Sequence, residues 1–262
     1  MANVVINCDD LGLSLGTNKA IGILFEKELI TSCSALVNFE EISSAKLIAT
    51  EYDFTEKIGL HFNITEGRPI SEEVKSVPRI CEDGRLHGRF RSGTVKIFGG
   101  VPIAVDFLTW SDISAIKKEF NCQVDKFIDI FGLLPSHVDS HHGSHHDPIL
   151  FLFICRWARE RNISAIRPQF NLVTKSPFVR TVKNILNRYA KLKLTNQADF
   201  FGSLDDFLHH IGNEKSKVEL MVHALPTDSS KINDIDGIDL EKKIRSLNLA
   251  GHNKCSYRDF LT

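Results

Sequence analysis

The stretch NVVINCDDLGLSLGTNKAIGILFEKELI, residues 3–30, decides how the rest of the chain is read. Val4 to Asn7 is a short β-branched run with no helical spacing, which reads as a buried strand. From Gly16 to Ile30 the pattern changes, and Ala20, Ile23, Leu24 and Phe25 fall on or near one face of a helix. A strand thus feeds a helix through a turn that carries two adjacent acids, Asp9 and Asp10.

The same unit recurs along the chain. Residues 31–38 (TSCSALVN) read as a strand and 41–52 (EISSAKLIATEY) as a helix. KIGLHFNI (57–64) is a third strand and SHVDS (136–140) a fourth. Between them, Ile113, Ile116, Phe120, Val124, Phe127 and Phe131 recur at steps of three or four. That spacing predicts a helix capped by Ser111 or Asp112 and ended by Gly132. Asp147 followed by Pro148 predicts the cap and first residue of a helix over 148–160. ISAIR (163–167), ADFFG (198–202) and VELMVHAL (218–225) are further strands. SPFVRTVKNILNRYAKLK (176–193), SLDDFLHHIG (203–212) and DLEKKIRSL (239–247) hold helices. Strand–helix alternation of this kind argues for an α/β fold with parallel strands inside and helices outside. Seven such pairs predict a TIM-like (β/α) barrel, one domain spanning 1–262. Residues 67–110, rich in Gly, Pro and Arg, interrupt the rhythm and are expected to be a loop-rich insert that can cover a site.

Composition narrows the function classes. With 32 basic and 33 acidic residues, formal net charge is -1, so no global field favours nucleic acid or an anionic membrane. No apolar run approaches the ~18 residues that span a bilayer. MANVVINCDD lacks a basic leader and a long apolar stretch, so a signal peptide is not expected. The six cysteines contain no CxxC pair, which removes zinc-ribbon and thioredoxin-like readings. Their apolar settings suit buried free thiols and a reducing cytoplasm.

Barrels and open α/β sheets carry their sites at the C-terminal ends of strands. There the chain places Asp9 and Asp10, then His61, then Asp139 and His141, then Arg167, then His223. Along an extended backbone the side chains of Asp9 and Asp10 diverge, so one can hold a metal while the other faces a nucleophile. Taken alone, the pair reads equally as a turn with a helix-capping acid, and His61 in GLHFN as a core histidine.

HVDSHHGSHHDP, residues 137–148, holds five of the eleven histidines. On a strand His137, Asp139 and His141 share one face. A helical HxxxH zinc site is rejected, because Gly143 interrupts it and the helix starts only after Asp147. His141 is the ligand candidate, while His142, His145 and His146 are expected at the rim or in water. One carboxylate and two imidazoles from three strand ends leave positions open on a divalent ion for water and substrate. A neighbouring carboxylate can then act as general base.

NCDDLGLS (7–14), GLHFNITEGRP (59–69) and HVDSHHGSHHDP, in this order and spacing, resemble the YdjC-like carbohydrate deacetylases, which include chitooligosaccharide deacetylases. AIRPQF, VELMVHAL and SYRDF extend the resemblance over nearly the whole chain. The resemblance implies a TIM-like barrel, a divalent metal (Mg²⁺ or Zn²⁺), removal of an N-acetyl group from a sugar, and a homodimer. By motif it implies metal ligation by Asp10, His61 and His141, with Asp9 as the base. It further implies Arg167 as the group that orients that base, and His223 as the acid that protonates the leaving amine. Two departures stand out: Gly143 where the family often continues the histidine run, and Ala224 where it often has proline.

Three rival readings remain from sequence: a hydrolase of another amide or ester, a glycosidase using Asp9 and Asp139, and a sugar-binding protein without turnover. Arg85, Arg89 and Arg91 are read as a solvated face rather than a phosphate site.

Overall fold

The computed structural model describes residues 2–88, 95–98, 101–104, 108–172, 176–208, 216–227, 231–247, 249 and 251–261. Parts of the expected insert, Arg89 and Arg91 among them, and the end of the helix expected over 203–212 lie outside the described residues.

The first unit is β1 (Asn3–Leu11) and α1 (Leu15–Glu26). Ser14 caps α1 by accepting from the Thr17 amide. Then come β2 (Ser32–Ala35), α2 (Ile42–Glu51) and β3 (Ile58–Phe62). After the insert follow α3 (Trp110–Phe131), β4 (Val138–Ser140) and α4 (Pro148–Glu160). The chain finishes with α5 (Pro177–Lys193), β5 (Phe200–Ser203), α6 (Leu204–Leu208), β6 (Lys217–His223), α7 (Leu240–Ser246) and β7 (Asn253–Lys254). The strands pair in parallel in the order β4-β3-β2-β1-β6-β5, with β7 beside the start of β1, and the sheet curls into a half-barrel.

Two expectations need correction. ISAIR is not a full strand: Ile166 makes a single parallel bridge to Val138. On its other side, the Gln197 side-chain amide takes the place of a strand, pairing with the Ile166 N–H and carbonyl. The backbone there is satisfied by a side chain, so no ladder continues. The cap of α3 is Thr109, which accepts from the Asp112 amide while Asp112 accepts from the Thr109 amide. That is a capping box, and Asp112 is its third helical residue rather than the cap. Gly132 ends α3 with φ 76, a left-handed conformation that suits glycine. Asp147 caps α4 through the Ile149 and Leu150 amides, with Pro148 as its first residue.

Period-two alternation sorts the strand residues. Val4, Ile6 and Cys8 of β1 join Val218, Leu220 and Val222 of β6 in the main core under the helices. Val5 points the other way, into a second cluster with Ala165, Ala198, Tyr257 and Phe260. Asn7 and Asp9 continue that inner column, as Met221 and His223 do after Glu219 on β6. The half-barrel is therefore apolar at its base and polar at its C-terminal mouth. The small Gly59 on β3 admits the His137 ring, which would lie 2.3 Å from an added Cβ. His137 also stacks on Tyr257 at 4.1 Å.

Within the insert, Glu72–Lys75 is a short helix, and two small hairpins pair Cys81–Glu82 with Arg85–Leu86 and Val95–Phe98 with Val101–Ala104. The buried Glu119 of α3 fastens its first part by accepting from the Ile70 and Ser71 amides. All six cysteines are free, and all but Cys122 are buried. Among the described residues no helix is long and apolar enough to cross a membrane.

Candidate active site

Strand register sets the site's height. Asp9 on β1 lies opposite His223 on β6, and His61 on β3 opposite Asp139 on β4. A cavity of about 310 Å³ opens above them. Its wall includes Asp9, Asp10, His61, His141, Arg167 and His223, so the six residues picked out by sequence converge on one space. A larger groove of about 540 Å³ lies elsewhere, lined by Asn171, Asn187, Lys191 and Asp199. Among the described residues it is lined by no histidine or cysteine, and its Lys191 pairs with its Asp199.

Asp9 and Asp10 do not diverge as an extended strand requires. The β1–β2 register shifts between Cys8 and Leu11, and Asp10 takes φ 72. A bulge with one left-handed residue turns the second acid back toward the same cavity as the first. Aspartate tolerates this conformation better than most residues, and such strain gathers at functional positions.

Asp10 Oδ1 lies 3.3 Å from His61 Nε2 and 3.1 Å from His141 Nδ1. It is buried, yet it makes no well-directed hydrogen bond. His61 donates its other nitrogen, Nδ1, to Asp139 Oδ1 at 2.7 Å. His141 donates Nε2 to Glu66 Oε2 at 3.1 Å. On neutral rings the two remaining nitrogens carry lone pairs, and both face the Asp10 oxygen. A carboxylate oxygen and two ring lone pairs directed at one point match the donor set of a divalent cation. Burial resists charge on His61, but the Asp139 and Asp10 carboxylates beside it outweigh that and raise its pKa to about 10, so the Nε2 proton is the one a bound cation would displace. Burial also opposes ionisation of Asp10, and the two histidines overcome it and hold its carboxyl well below the usual range.

Beside this trio, Arg167 grips Asp9 bidentately, Nη1 to Oδ2 at 2.7 Å and Nη2 to Oδ1 at 2.6 Å. Nη2 also lies 2.8 Å from Asp139 Oδ2, and Nε donates to Glu219 Oε1 at 2.7 Å. One guanidinium thus serves three buried carboxylates. Tyr257 donates its hydroxyl to the other Glu219 oxygen, tying the C-terminal segment to the centre. Burial pushes the Glu219 pKa up to about 7 against the pull of Arg167 and Tyr257. Asn7 donates to Asp9 Oδ1 at 2.9 Å, and Ser34 donates to Asp139 Oδ2 at 2.8 Å.

On the neighbouring strand β6, His223 lies 3.8 Å from Asp234, which also accepts from the His223 backbone amide at 3.0 Å. Burial disfavours the charged His223 ring, but Asp234, Asp9 and Asp10 outweigh it and raise its pKa. Burial raises the Asp234 carboxyl, and the bonds from His223, Ile235 and Lys243 overcome that and lower it to about 2.

The histidine-rich turn departs from expectation at one position above all. His142 is exposed and His146 half-buried, but His145 is buried in the cavity wall. Its Nδ1 lies 2.6 Å from Ser140 Oγ, and burial holds its pKa well below the ordinary value. Gly143, with φ 64, follows His142 at φ 53, and a Cβ at Gly143 would sit 2.8 Å from the His146 ring. The departure at Gly143 therefore fits a close approach of His146. Sequence reasoning gave no role to Glu66, Glu219, Asp234 or Tyr257. Glu66, Glu219 and Tyr257 lie inside quoted motifs and Asp234 outside them, but each is an ordinary acid or phenol until the fold brings it near.

A half-barrel of parallel strands with a carboxylate–imidazole cluster that could hold a cation at its mouth defines the class as an α/β protein. The chain belongs to the YdjC-like family: the profile described as "YdjC-like protein" matches residues 3–249. Chitooligosaccharide deacetylases of Salmonella typhi and Salmonella paratyphi B are each 35% identical over 161 residues, 62% of this chain and 57% of theirs. The match therefore spans little more than half the length of those relatives. An Enterococcus faecalis V583 structure, described as a candidate cellobiose-phosphate cleavage protein, superimposes with a TM-score of 0.74 at 18% identity. It covers 100% of this chain and 99% of that one, a likeness of fold.

Proposed function

We propose that this protein is a metal-dependent hydrolase that removes the N-acetyl group from an N-acetylated, chitooligosaccharide-like sugar, releasing acetate. The observation that carries this reading is the unpartnered Asp10 Oδ1 facing His61 Nε2 and His141 Nδ1, next to the Arg167-held Asp9. Supporting it are the family membership and the names of the Salmonella relatives.

Asp10, His61 and His141 would hold the ion. Two imidazole nitrogens and one carboxylate suit Zn²⁺ better than Mg²⁺, which prefers an all-oxygen shell. Such an ion supplies a Lewis acid for the acetamide carbonyl and makes water easier to deprotonate. Asp9 takes the proton from the attacking water. Its Oδ2 accepts only from Arg167 among the described residues and keeps a lone pair for that purpose. Arg167 fixes the direction of that lone pair. His223, whose pKa its acidic neighbours raise against burial, delivers a proton to the departing nitrogen. The wall residues Phe170, Phe201, Met221 and Ile235 give the sugar an apolar surface.

Asp139 is ill placed for a glycosidase role. It is fully buried, bonded to His61, Ser34 and Arg167, and does not line the cavity. The test is acetate release from N-acetylated mono- and disaccharides, with ester and amide controls, by zinc-loaded and chelated protein. Zinc-dependent acetate release from the sugars supports the proposal. Turnover indifferent to chelation, or confined to the controls, rejects it.

A further inference from the structure

We infer that Glu66 is a positioning residue for His141, fixing which ring nitrogen faces the cation site. The inference rests on the reading of Asp10, His61 and His141 as that site. The two histidines are built on one plan. His61 turns Nε2 to Asp10 and anchors Nδ1 on Asp139. His141 turns Nδ1 to Asp10 and anchors Nε2 on Glu66. A carboxylate on the far nitrogen fixes the tautomer and ring angle and makes the near nitrogen a better donor.

Glu66 is delivered by a fixed turn. Asn63 Oδ1 accepts from the Thr65 and Glu66 amides at 2.9 and 3.1 Å. Asn63 Nδ2 donates to the Glu66 carbonyl at 2.8 Å and to Asn38 Oδ1 at 3.1 Å. The Asn63 backbone is held in turn by the Gln123 side chain of α3, through both its amide and its carbonyl. The same turn reaches the next histidine, since Thr65 Oγ1 lies 2.9 Å from His142 Nδ1. His142 packs against His141 with ring centroids 3.8 Å apart, which closes the other side of the ring. The segment NITE therefore braces His141 from the turn after β3, some 75 residues earlier.

The two anchors differ in setting. The Asp139 side chain is 0% exposed and that of Glu66 45% exposed. Water competes for Glu66, which places its effect at the low end of the roughly 10- to 100-fold range that such anchoring carboxylates exert on metal affinity.

The experiment measures the Zn²⁺ dissociation constant by competition with a chromophoric chelator for wild type, Glu66→Ala, Glu66→Gln and His141→Ala. The imidazole ¹⁵N spectrum of the zinc-loaded proteins reports the His141 tautomer. His141→Ala is expected to lose tight binding. Glu66→Ala is expected to bind about tenfold more weakly with a mixed or switched tautomer, the scale of a lost anchor. Glu66→Gln keeps an acceptor for Nε2–H and should restore the tautomer and much of the affinity. Wild-type affinity and tautomer in Glu66→Ala, with His141→Ala impaired, overturns the role of Glu66 alone. Wild-type affinity in His141→Ala overturns the cation-site reading and this inference with it.

Discussion

Arg167 and Asp9, 158 residues apart, meet in two parallel hydrogen bonds of 2.6 and 2.7 Å at the mouth of the half-barrel. The same guanidinium contacts Asp139 and Glu219. Arg167→Met leaves three buried carboxylates without their countercharge and is expected to cost on the order of 3–5 kcal/mol, read from denaturant unfolding. Arg167→Lys keeps the charge but loses the fork. Its kcat/KM is expected to fall roughly 10²-fold, the scale of a 1 Å misplacement of a catalytic group. A Lys variant with wild-type turnover removes Arg167 as the residue that orients Asp9.

Asp9→Asn keeps the shape and removes the proton acceptor. Deacetylation should drop by ~10²–10⁴-fold in kcat. Zinc affinity should stay within a few-fold, because Asp10, His61 and His141 are untouched. Equal losses of affinity and rate would mean that Asp9 is a ligand instead.

Asp234 should set the alkaline limb of the pH–rate profile. Its charge helps raise the His223 pKa, so His223 stays protonated to higher pH than a free imidazole. Asp234→Asn removes that help, lowers the His223 pKa and moves the alkaline limb of kcat/KM to lower pH. An unmoved limb assigns the general acid to another group.

Chelation should abolish acetate release and lower the melting temperature, since an ion bound only by the folded state stabilises it by mass action. Zinc added back should restore both. A melting temperature that ignores chelator and zinc alike argues against a tightly held ion.

Gly59 tests the packing beneath the site. Replacing it with alanine drives a methyl group to 2.3 Å from the His137 ring, which is itself stacked on Tyr257. Overpacking of this kind costs about 1–3 kcal/mol, and calorimetric melting would read it. A fully stable Gly59→Ala variant would show that the His137 ring moves freely.

Sequence alone determined the order of strands and helices around β1 to β6 and placed seven acidic, imidazole or guanidinium side chains at strand ends. Those features are local: side-chain period, caps such as Asp147–Pro148 and the stop at Gly132 are written in neighbouring residues. The tertiary structure decided what those residues meet. The bulge at Asp10, the burial of His145 and the Gln197 amide standing in for a strand depend on register and on chain from elsewhere. So do the anchoring of His61 by Asp139, of His141 by Glu66 and of Arg167 by Glu219, which Tyr257 holds in turn. Hydrogen bonds between groups tens to hundreds of residues apart are short-ranged in space, and only the folded chain brings such groups to about 3 Å.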